Sequence, residues 1–141
     1  MNMKRKTGTF ILGCLLLLSA HSTGCINLTG DCVNEILRTQ YSPSKRLKAV
    51  VFQRDCGATT GFTTQISIIS ANSDLPNQAG NVFVSDTDHG YAPSGPGGGP
   101  PVDIEWKGES SLNIAYDKRA RVFLRKDSQD GTTITYSERT F

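Results

Sequence analysis

The sequence predicts an antiparallel all-β domain of about six to seven strands, a small sandwich or strongly bent sheet, behind a removable N-terminal segment. Three observations carry this reading. Between Val102 and Tyr116 the chain alternates: Val102, Ile104 and Trp106 share one side, then Leu112, Ile114 and Tyr116, with Asp103, Glu105 and Asn113 opposite. That is the period of strands with one buried and one wet face. The runs 47–52 and 62–69 are rich in Val, Ile, Phe and Thr, residues that fit a pleated surface. Turn-forming Gly, Pro, Ser, Asp and Asn recur at short intervals, and no helical period persists for long.

The first element is a leader. Met1 to Lys6 is basic, and Phe10 to Ala20 is an apolar run of about eleven residues, which suits a secretory signal and falls short of the ~20 that span a membrane. His21-Ser22-Thr23-Gly24-Cys25 follows. Small residues before a cysteine resemble the lipobox of bacterial lipoproteins, which implies cleavage after Gly24 and a lipid on Cys25. Ser22 departs from the Leu that family prefers there, and Ala20 could end a site for ordinary signal peptidase. That alternative gives a secreted or periplasmic protein; an uncleaved anchor is a third option. Ile26 follows the cysteine, and the absence of Asp there implies the outer membrane in a Gram-negative host. The expected organisation is signal peptide 1–24, tether 25–31 and β domain 32–141, lipid-anchored in the bacterial cell envelope.

Charge narrows the partners. The whole chain carries +2, but from Cys25 onward 12 Lys and Arg face 13 Asp and Glu, a net of −1. The mature part has no basic excess to draw it to nucleic acid. Expected partners are the membrane, through the lipid, and a protein of the envelope.

Cys14 would leave with the signal and Cys25 would take the lipid, so Cys32 and Cys56 remain in an oxidising compartment. A disulfide between them would close a loop of roughly 25 residues and stabilise by ~3 kcal/mol. A metal site and two separate buried thiols are the alternatives. Two thiols with no second Cys pair make a poor zinc site.

Residues 33–40 admit two readings. Asp31 could cap a short helix burying Val33, Ile36 and Leu37. The turn signal Tyr41-Ser42-Pro43-Ser44 favours a strand over 35–40 instead, paired with 47–54. Arg54 to Phe62, with Cys56, Gly57 and Gly61, reads as a pinned connection into a strand over 64–69. A loop over 70–80 leads to a strand over 81–85 with Val82 and Val84 on one face. Residues 86–101 hold four prolines and five glycines and form one long irregular segment. The 102–116 pair, a strand over 121–125, a turn at Gln129-Asp130-Gly131 and a strand over 133–136 complete the domain.

Two resemblances arise from these stretches. Ser42 to Arg46 before Lys48 to Phe52, and Ile104 to Trp106 with Leu112 to Tyr116, resemble strand pairs of TolB-type β-propeller repeats. The Asp-Gly usual after Ser-Pro is missing, and the chain is too short for a closed ring. Asn34 to Ile36, Lys48 to Phe52, Arg54 to Phe62, Gly80 to Phe83 and Pro93 to Pro100 resemble a family of small uncharacterised bacterial envelope proteins, a domain of unknown function. That resemblance implies no activity.

Candidate chemistry is sparse. His89 follows Asp86 and Asp88; the three could hold a cation, His89 could act as a base, or the stretch is a solvated turn. Ser94-Gly95 lacks the elbow a serine hydrolase needs. Gly95 to Pro100 lacks the Lys and Ser/Thr of a phosphate loop, so it reads as an extended surface loop or a partner-binding one. Arg54 with Gly57, Thr59, Thr60 and Gly61 could form an anion nest, or a turn that satisfies its own backbone. Trp106 reads as core. The expectation is a non-enzymatic binding or accessory module without a cofactor. The rivals are an inhibitor-like or structural subunit of an envelope complex and, behind it, a hydrolase using His89. A binder should show a pocket near Thr59, Thr60 and the Gly/Pro loop; an interaction module should show an open edge strand.

Overall fold

A computed structural model describes residues 32–57 and 61–141. The candidates Cys25, Thr59 and Thr60, and the whole leader, lie outside these residues. The described chain is all-β: β1 (Val33–Tyr41), β2 (Leu47–Asp55), β3 (Thr63–Ser70), β4 (Phe83–Asp86), β5 (Val102–Gly108), β6 (Ser111–Asp117), β7 (Arg121–Arg125), β8 (Ser128–Gln129) and β9 (Thr132–Arg139). They form two sheets, ordered β1-β2-β3-β4-β7 and β5-β6-β9-β8. Among the described residues there is no helix long and apolar enough to cross a membrane.

The core lies between the sheets. Ala49, Val51, Ile66, Ile68, Val82 and Phe83 from the first meet Ile104, Leu112, Ile114, Tyr116 and Ile134 from the second. Register explains the choice: Val51 pairs with Ile66 and Ala49 with Ile68, so these four share the inner face. Val50 and Phe52 point the other way, yet both are buried. The 71–80 segment is tied to that flank by Asn34, which donates to the carbonyls of Pro76 and Gln78 at 3.0 and 2.8 Å, and by Arg54, which donates to Asn77. A sheet covered on both faces needs a continuous apolar run, which is what 49–52 is.

Four expectations are corrected. Strands among the described residues number nine, one only two residues long, where about six to seven were expected. Strand β4 starts at Phe83, and Phe83 and Ser85 face inward while Val84 is turned outward and half-buried. The phase shifts because the Asn81 side chain replaces a ladder partner: its Oδ1 accepts from the Ile68 N–H and its Nδ2 donates to the Ile68 carbonyl, both at 2.9 Å. Third, β6 and β9 run parallel. Strand β7 leaves for the first sheet to pair with β4, so the chain returns to the second sheet in the direction of β6; side-chain alternation is the same for either direction. Last, the Gly/Pro segment is not an extended surface loop: Gly99 and Pro100 are buried and the segment closes on itself, the Gly95 N–H donating to the Gly99 carbonyl at 2.7 Å.

Cys32 and Cys56 are disulfide-bonded. Val33 pairs with Asp55, so the two cysteines stand opposite each other one step beyond the ladder, and the bridge ties the start of β1 to the end of β2.

Candidate functional site

Where the edge strands β1 and β5 face each other, at the end closed by the Gly/Pro segment, a cleft of about 410 Å³ opens between the sheets. Leu37, Val51, Pro100, Pro101, Val102 and Phe141 give it largely apolar walls. Arg38, Asp103 and Arg139 also line it, and each is roughly half exposed.

Strand β1 contributes through a bulge. Ile36 pairs with Phe52 but Arg38 pairs with Val51, which leaves Leu37 as the extra residue. Without the bulge Arg38 would lie opposite Val50 and face away from the core. With it, Arg38 turns to the inner side, as bulges re-aim side chains. Its guanidinium reaches Asp103 at 3.2 Å and the Val102 carbonyl at 3.0 Å. Further along, the Trp106 indole N–H donates to the Gln40 carbonyl at 3.1 Å, so Trp106 both packs on the core and fastens the two edges together.

The Gly/Pro segment forms the end wall because its glycines let it lie flat. Gly97 and Gly98 have φ of 76° and 82°, conformations in which only glycine is unstrained. A Cβ on Gly99 would lie 2.6 Å from the Thr64 backbone nitrogen and 2.7 Å from the Thr63 carbonyl carbon. The Thr64 hydroxyl donates to the Pro100 carbonyl at 2.7 Å, which locks the wall to β3.

The last wall is set by a buried acid. Asp117 is fully buried and chelated by Arg119, whose Nε and Nη2 both donate at 2.8 Å. Asp117 also accepts from the backbone N–H of Arg119 and of Phe141, at 2.9 and 3.0 Å. The Arg119 guanidinium first, then these two amides, hold its carboxyl far below the usual carboxylate range against the opposing effect of burial. Asp117 thereby fixes Phe141 against the cleft. The Arg139 guanidinium stacks on the Phe141 ring, 4.0 Å from its centroid, and also pairs with Asp103.

Of the sequence-predicted binding residues that are described, neither Arg54 nor His89 lines the cleft. Arg54 donates to Asn34 at 2.7 Å and to Asn77 at 3.1 Å, so it staples a loop; the anion nest expected with Thr59 and Thr60 falls outside the described residues. His89 is exposed in a turn with φ of 58°. Asp86, its neighbour, binds Arg121 at 2.5 Å; burial raises its carboxyl, and Arg121 and the Asp88 amide outweigh that and lower it. Among the described residues no group of three His, Cys, Asp or Glu is placed to hold a metal ion, so Asp86, Asp88 and His89 do not form a cation site. The cleft residues Leu37, Arg38, Asp103, Arg139 and Phe141 were not anticipated. Only the neighbouring prolines of the 86–101 segment marked the place.

Compared with protein-family models, curated proteins and solved structures, the chain gives no match. The likenesses to propeller repeats and to small envelope proteins therefore rest on the quoted residues alone. The propeller-like stretches fall in different sheets, Leu47–Asp55 in one and the β5–β6 pair in the other.

Proposed function

We propose that this protein is a non-enzymatic binding module of the bacterial cell envelope, anchored through Cys25, that holds a small ligand in the cleft between its sheets. One observation carries the reading: the cleft of about 410 Å³ has an apolar interior with a few charged groups at one rim. That volume lies within the ~300–1,000 Å³ range of small-molecule sites, and the pattern of lining is theirs. His89 is not among the residues that line the cleft, which favours binding over hydrolysis.

The second reading is a structural or inhibitor-like subunit. It is favoured by β1, a nine-residue edge strand paired on one side only, with Val33 and Ile36 exposed. Such an edge can accept a strand from a partner.

Native mass spectrometry of the protein purified from its own envelope separates the two. The binding reading expects a retained small molecule that Leu37→Trp displaces by filling the cleft. A chain with no retained molecule, captured in fixed ratio with another protein, would support the second reading and overturn the first. The same spectra test lipidation: a mature chain beginning at an unmodified Cys25, or at His21, would rule out the anchor.

A further inference from the structure

We infer that the cleft takes an organic anion, a monocarboxylate with a compact apolar body, whose carboxylate is received by Arg38 and Arg139. This rests on the binding reading above and specifies its ligand.

The argument is one of charge and of preorganisation. Two guanidiniums stand at the rim against a single carboxylate. Among the described residues the ion pairs of Arg38 and Arg139 both go to Asp103. Of the acids next to these residues in sequence, Glu105 pairs with Lys107 at 2.6 Å and Glu138 accepts the Tyr116 hydroxyl at 2.7 Å, so neither is an ion-pair partner of Arg38 or Arg139. Two guanidiniums thus share one side-chain carboxylate beside an apolar cavity, and each keeps N–H donors that Asp103 alone does not fill. A guanidinium presents five N–H donors in a planar fork suited to carboxylates.

Both arginines are also held before any ligand arrives. Arg38 is aimed by the β1 bulge and fixed by the Val102 carbonyl. Arg139 is laid on the Phe141 ring, and Phe141 is tied by its N–H to the buried Asp117. Donors positioned in advance lose less conformational freedom on binding. The apolar body of the ligand would lie against Leu37, Val51 and Val102, and a purely inorganic anion would leave those walls unused.

The test is calorimetric titration of the full chain with phenylbutyrate and with its neutral amide, phenylbutyramide, at low and high salt. The acid is expected to bind about tenfold more tightly, the equivalent of one charge-assisted interaction, and only its affinity should fall with salt. Arg38→Gln should weaken the acid more than the amide and so remove most of the tenfold preference; Arg38→Lys should keep part of it. Leu37→Trp should remove both. If acid and amide bind alike and Arg38→Gln alters neither, the anion assignment falls while the cleft remains a binding site. If neither binds, the binding reading falls and this inference with it. If the acid binds Leu37→Trp undiminished, its site is elsewhere and the assignment is overturned.

Discussion

Gly99→Ala measures how firmly the cleft's end wall is built. The added methyl would sit 2.6 Å from the Thr64 amide nitrogen and 2.7 Å from the Thr63 carbonyl carbon. Both are backbone atoms of a strand paired on both sides, so the Gly/Pro segment must move and β3 stays. Overpacking of this kind costs about 1–3 kcal/mol. Lifting the segment also stretches the Thr64-to-Pro100 hydrogen bond of 2.7 Å, worth ~1 kcal/mol. The expected loss is about 2–4 kcal/mol, or roughly 10–20 °C in Tm for a domain of this size. Gly108→Ala is the control: a Cβ there meets nothing within 4 Å, and a change within ~0.5 kcal/mol is expected. Thermal unfolding followed by near-UV circular dichroism reads both. If Gly99→Ala melts with the parent, the segment is a loose surface loop after all and the cleft has no end wall.

Three further outcomes follow from the same contacts. The Asp117 carboxyl is lowered in the folded protein, so the unfolded chain binds its proton more readily; the stability Asp117 contributes is complete above the ordinary carboxylate value of ~4 and is lost as pH falls towards the folded one. Asp117→Asn should cost about 2–3 kcal/mol at neutral pH and flatten that acid-side slope in denaturant titrations; an unchanged slope would mean that the Arg119 pair contributes nothing. Reduction, or Cys56→Ala, should cost roughly 2–4 kcal/mol, and thiol labelling of the unfolded, unreduced protein should find neither Cys32 nor Cys56 reactive.

The class of fold was legible because its signals are local. The alternation at Ile104, Trp106, Leu112 and Ile114 survives intact as β5 and β6, and Asp130-Gly131 forms its turn with both φ positive. Setting Cys14 and Cys25 aside as leader and lipid site left Cys32 and Cys56 as the expected pair, and these two are bonded. What was illegible depends on pairing between distant strands. Nothing in Ile36-Leu37-Arg38 announces a bulge; it exists only against the register of β2, yet it turns Arg38 into the cleft. Asp103 read as an exposed charge on an alternating strand and Arg139 lay beyond the last expected strand, which ended at residue 136; their meeting follows from β9 running on to Arg139 in parallel with β6, which places Arg139 opposite Asp117. Arg54 looked available beside a glycine-rich turn because Asn34 and Asn77 are 20 and 23 residues away in sequence. The Gly/Pro segment was read from composition, which reports what backbone shapes it can take and not what it packs on.

Chemical-shift mapping with phenylbutyramide, which carries no charge, puts the central claim to its most direct trial. If the cleft between the sheets is the binding site, titration into the labelled full chain should shift the amides of Leu37, Val51, Thr64, Val102 and Phe141 together, and leave Arg54, Gly61 and His89 in place. Shifts confined to the ends of the 57–61 stretch or to the exposed face of β1, or no saturable shifts at all, would contradict it.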